Sequence, residues 1–97
     1  MTTSEEARVF KLLDEYARKN HECFVAEMFL NEEKNKYVVC FRPLAAGRDS
    51  ADRFSCRYLN IEAPQAKMAS ETGVLSSLAI AELDRKLAEI KTDARPD

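Results

Sequence analysis

The stretch "ECFVAEMFLNEEKNKYVVCFRPL", Glu22–Leu44, decides the fold. Two runs rich in β-branched and aromatic residues flank the polar segment "NEEKNK". That composition predicts two strands joined as a hairpin. Pairing Leu30 with Tyr37 sets Met28 opposite Val39 and Ala26 opposite Phe41, which aligns the apolar patterns of both strands. Pro43 marks the end of the second strand, because proline cannot donate to a ladder. The Gly/Asp/Ser-rich "AAGRDSADR" reads as a loop. A third strand, "FSCRYLNI" at Phe54–Ile61, closes an antiparallel meander.

Helices are expected on either side of the strands. Thr3 and Glu6 have capping-box spacing, and Val9, Phe10, Leu12, Leu13, Tyr16 and Ala17 recur at helical intervals. Asp14–Arg18 and Glu15–Lys19 are acid-to-base pairs suited to the outer face. Asn20-His21 should end this helix, asparagine tolerating the left-handed conformation of a C-cap. After the third strand, Pro64 suits a first helical position, and helical spacing continues to about Lys91. Gly73 leaves two readings open. A continuous helix would be roughly 40 Å long and overhang strands of ~25 Å, freeing Leu87 and Ile90 for a partner. A bend at Gly73 would instead fold both parts onto the core.

The expected architecture is α+β: a single domain, helix–strand–strand–strand–helix, with a three-stranded antiparallel sheet carrying both helices on one face. Residues 4–91 would form the domain, with flexible ends at 1–3 and 92–97. A chain of 97 residues has room for one core.

Composition narrows the function. Apolar residues make up 45% and charged residues 33%, ordinary for a globular protein, with a net charge of −2. Residues 4–20 carry four acids and four bases, whereas residues 31–60 carry six bases against four acids. Only the middle third is mildly positive, so no field attracts a polyanion to the whole chain. Cys23, Cys40 and Cys56 match no zinc or redox spacing, and His21 is the only histidine. The acidic "MTTSEEARVF" is no signal peptide, and no apolar run approaches the ~20 residues of a membrane span. A reducing cytoplasm is the expected location.

"HEC" at His21–Cys23 has the look of a catalytic or metal cluster. A nucleophile there would need an orienting group and an oxyanion site, and a metal would need more ligands than the motif offers. Gly47 and Gly73 are isolated and make no phosphate-cradling loop. No metal, cofactor, small-molecule substrate or enzymatic activity is expected.

Alternation assigns the strand residues to two faces. One expected set, Phe24, Ala26, Met28, Leu30, Tyr37, Val39, Phe41, Phe54, Cys56 and Tyr58, would carry the helices. The other would leave Glu27, Arg42 and Arg57 among Val25, Phe29, Val38, Leu59 and Ile61. Arginine inside an exposed apolar patch is the composition of an interface. These eight residues are the candidate partner-binding site. The expected function is a non-enzymatic protein-interaction module, adaptor- or inhibitor-like, whose partner is a second copy in a homodimer or another protein.

The element order is also that of the double-stranded-RNA-binding domain, which the chain resembles in topology over most of its length. That family reads phosphates with a lysine-rich cluster, roughly KKxAK, at the start of its second helix and a histidine-bearing loop between its first two strands. Here the helix begins "APQAKMASE" with Lys67 alone, and the loop "NEEKNK" has no histidine. The resemblance implies, as the alternative function, nucleic-acid binding through the basic middle third. Lys34, Lys36, Arg48, Arg53 and Lys67 would carry it.

Overall fold

The computed structural model describes residues 4–44 and 57–93, with side chains described as far as residue 88. The elements in chain order are α1 (Ser4–His21), β1 (Cys23–Asn31), β2 (Lys36–Pro43), β3 (Arg57–Glu62), α2 (Ala63–Thr72) and α3 (Ser77–Asp93). The strands form one antiparallel sheet in the order β1–β2–β3, and the helices cover one face of it. Several expectations lie outside the described residues: the ends at 1–3 and 94–97, Thr3 as a cap, the loop at 45–53, residues 54–56 of the third strand, and the Ile90 side chain. Helix α3 continues to Asp93, two residues into the segment expected to be loose.

Helix α1 buries Val9, Leu13 and Ala17, a stripe at four-residue intervals. Its end differs from expectation. The helix includes Asn20, and the left-handed residue is Glu22, with φ 54°. Asn20 acts through its side chain, whose amide donates to the Tyr16 carbonyl at 3.1 Å. Glu22 is held from the far end of the hairpin, where the Leu44 N–H donates to its carbonyl at 2.8 Å.

The hairpin keeps the expected register near its turn, with Leu30 opposite Tyr37 and Met28 opposite Val39. Beyond that a β-bulge intervenes. Glu27 pairs with Cys40, and Val25 rather than Ala26 lies opposite Phe41. Ala26 is the extra residue, so side chains before it change face. Cys23 and Val25 therefore join the core under the helices, not the open face. The physical reason is in the strand itself. Its inward-going apolar residues are odd-numbered before the bulge and even-numbered after it, and one inserted residue turns both groups towards the helices. The Asp14 carboxylate of α1 accepts the Val25 N–H at 2.9 Å, tying helix to strand beside the bulge.

Strand β3 corrects the expectation a second time. Leu59 pairs with Val39 and Ile61 with Tyr37, so both face the helices and are buried. Arg57, opposite Phe41, goes to that same side, while Tyr58 and Asn60 face away. Leu59 and Ile61 are the residues from which Ala63–Thr72 departs directly as α2. Placing them inside lets α2 and α3 fold back over the strand they follow.

Gly73 separates two helices. It caps α2 with φ 78° and donates its N–H to Ala69 O at 2.8 Å. Ser76 then starts α3, its hydroxyl accepting the Ala79 N–H at 3.1 Å. Ala66 and Ala69 of α2 and Ala79, Leu83 and Leu87 of α3 are buried, so both pieces lie on the core. Small residues on α1 and α2 permit close approach, and Arg8 of α1 donates to Ser70 O at 3.4 Å.

Two substitutions test these joints. A Cβ on Gly73 would meet nothing within 4 Å, so Gly73→Ala suffers only the left-handed backbone. It should lose about 1–2 kcal/mol in urea unfolding. Asp14→Ala should lose about 1–3 kcal/mol by the same measurement, because it leaves the Val25 N–H without its acceptor.

Candidate interaction surface

The sheet face opposite the helices carries Phe24, Glu27, Phe29, Val38, Cys40, Arg42, Tyr58 and Asn60. Four of the residues expected there are present: Glu27, Phe29, Val38 and Arg42. Val25, Arg57, Leu59 and Ile61 are on the helix side. Tyr58 was expected under the helices and is instead 55% exposed, next to central Cys40; Phe29 is 47% exposed on the far edge. The face is thus a smaller and more aromatic patch than the alternation predicts.

Its buried polar group is Arg42, near the end of the central strand and paired in register with Phe24. The Arg42 Nε is buried and meets no hydrogen-bond acceptor. A buried donor left unmade is costly, about 1–3 kcal/mol for an ordinary group and more for a charged one. Glu27 lies diagonally across at the bulge, exposed. Arg18, at the end of α1, reaches the rim of this face, its guanidinium carbon 5.8 Å from the Phe24 ring centroid while it pairs with Asp14 at 2.8 Å.

The basic residues of the nucleic-acid reading divide. Arg48 and Arg53 lie outside the described residues. Lys34 and Lys36 are at the hairpin turn, which touches the start of α2 through Ala63 N–H to Asn35 O at 3.0 Å. Lys67 is one helical turn further on. Glu32 and Glu33 share the turn, and Lys36 is opposite Glu62. Acids therefore match the lysines at this end of the molecule.

The residues of "HEC" make hydrogen bonds within the fold. The Cys23 thiol donates to His21 O at 3.2 Å. The His21 Nε2 lies 2.8 Å from Asp84 Oδ1, the same oxygen that accepts the Tyr16 hydroxyl at 2.7 Å. This Tyr16–Asp84–His21 tie joins the end of α1 to α3 across more than sixty residues of chain. No local motif announces it. The Tyr16 hydrogen bond, then that of His21, holds the Asp84 carboxyl below its ordinary value, and the same bond raises Tyr16. Asp84 thus contributes stability above the ordinary carboxylate range and loses it as pH falls through its lowered value.

Among the described residues no three metal-binding side chains converge, and no helix is long and apolar enough to cross a membrane. The remaining surface has grooves at helix junctions. A groove of about 430 Å³ between α2 and α3 is lined by Met68, Val74 and Leu78, which are 61%, 63% and 62% exposed. Comparison with protein-family models, curated proteins and solved structures gives no match.

Tyr37 supplies a pH test of the core beneath this surface. Burial first, and its hydrogen bond to Glu5 second, push the phenol up to about 12. Its raised value stabilises the fold fully below about pH 10, and that contribution disappears between about pH 10 and 12. Unfolding followed by circular dichroism should show a loss of stability in that window, and Tyr37→Phe should shrink it.

Proposed function

We propose that the chain is a protein-interaction module without catalytic activity, and that its partner is a second copy docked sheet face to sheet face. One observation carries the reading: Arg42 has a buried, unanswered N–H near one end of a face that exposes Phe29 and Tyr58. A two-fold axis lying in the plane between the two faces makes the contact self-complementary, so Glu27 of each copy can meet Arg42 of the other. The aromatic residues flank that pair and exclude water from it, the arrangement in which arginine contributes most at interfaces.

Area sets the strength. Three strands about 4.8 Å apart and roughly seven residues long give a footprint of about 14 by 24 Å. That is small beside the roughly 800 Å² per partner of a standard interface, so association is weak and concentration-dependent. The nucleic-acid alternative keeps one supporting feature, Tyr58 beside an arginine-bearing strand as a stacking platform. It lacks the electrostatic source of affinity, because the lysines near the hairpin turn share their surroundings with Glu32, Glu33 and Glu62.

Light scattering behind a sizing column should show the mass rising from one chain to two over micromolar concentrations. Arg42→Glu should remain a monomer with unchanged circular dichroism, and adding Glu27→Arg to it should restore the dimer. A wild-type monomer throughout, or an Arg42→Glu dimer, would overturn the proposal.

A further inference from the structure

A second surface is built differently from the sheet face. Strand β3 is the edge of the sheet, with β2 its only strand partner among the described residues. Half of the main-chain groups of an edge strand point away from the sheet and can template another strand. Here they open into a groove rather than onto flat surface. Four consecutive residues, Leu59–Glu62, form one wall of a cavity of about 290 Å³, and Leu78, Ala79 and Glu82 of α3 form the other. Gln65 and Leu78 line both this cavity and the 430 Å³ groove at the α2–α3 corner, where Met68, Val74 and Leu78 are exposed.

We propose that these two adjoining cavities bind an extended segment of another protein as a fourth strand. The segment presents an aliphatic side chain to the α2–α3 corner and a basic side chain to Glu82. Main-chain bonding to an edge strand gives affinity in such recognition, and pockets beside the strand give specificity. Each part is present here: an edge, an apolar receptacle beyond it, and the Glu82 carboxylate on the α3 wall. Glu82 already pairs with Arg85 at 3.0 Å, but both side chains are about half exposed, so that pair yields readily to an incoming cation.

A second copy of β3 does not fit this site. An incoming strand must bring free apolar side chains to fill the groove on the α3 side. In a second copy the corresponding residues, Leu59 and Ile61, are already buried beneath its own helices. The opposite edge of the sheet is no equivalent, since β1 bends at its bulge and gives the Val25 N–H to Asp14.

The test is selection of a random-peptide library displayed on phage against the immobilised full chain. Enriched peptides should alternate aliphatic or small residues with outward polar ones and contain lysine or arginine. A synthetic copy of the strongest should shift the amide resonances of Leu59–Glu62. Leu78→Asp, at a position exposed enough to leave the fold intact, should weaken it roughly tenfold or more, and Glu82→Lys should weaken basic peptides. Arg42→Glu should leave peptide binding unchanged, which separates this site from the sheet-face dimer. No enrichment over a blank surface, or shifts centred on Phe29 and Tyr58, would overturn the proposal. So would dimerisation that Leu78→Asp abolishes, which would assign the groove to a second copy.

Discussion

Everything in this fold depends on one inserted residue in an edge strand. Ala26 lets β1 direct Cys23 and Val25, then Met28, to the same side of the sheet. Without the insertion, one half of the strand would have to leave its apolar residues in water while the other half buried its own. A one-residue shift in a strand reverses every side chain, so such an insertion is a strong constraint on register. The Asp14 hydrogen bond to Val25 fixes where α1 must lie relative to it. From that placement follow the burial of Val9, Leu13 and Ala17 and the approach of α2 to α1.

Helix α1 is thereby the element that ties the two ends of the chain together. At its start, Glu5 accepts the Tyr37 hydroxyl of the central strand; at its end, Tyr16 and His21 converge on Asp84 of α3. The polar groups here sit at the margins of an apolar core whose members include Phe41, Leu13, Leu83 and Leu87. Packing supplies the bulk of the stability, and these hydrogen bonds define which of the possible packings is taken up. That division explains why the chemistry-bearing residues of the sequence are largely occupied internally, while several large aromatic and aliphatic side chains are left exposed.

The architecture was legible in the sequence because the hairpin, the third strand and the helical periodicities all point to one layered arrangement. The pairing near the turn was legible for the same reason. The faces were read less well. The bulge was hidden because apolar residues occupy both parities of β1, and plain alternation cannot say where an extra residue sits. In β3 the clue was available: Asn60 and Glu62 alternate with Leu59 and Ile61, and the polar pair belongs outside. Phe54 and Tyr58 outweighed that signal and drew the opposite phase. Of the candidate site, Glu27, Phe29, Val38 and Arg42 survive these changes, because they lie where the expected and observed registers agree or share a face. The contact of His21 with Asp84 and the groove beside β3 are long-range features with no local pattern to reveal them.

The unlike edges of the sheet have a consequence for how this protein behaves when crowded. Endless edge-to-edge stacking requires each molecule to offer a donor edge and a receiving edge that match head to tail. Here β1 is bent and partly satisfied from within, so a molecule approaching the open edge of another has no complementary edge to extend the array. The inserted residue that makes the core thereby also leaves the two edges of the sheet unmatched, which disfavours head-to-tail stacking in a concentrated solution.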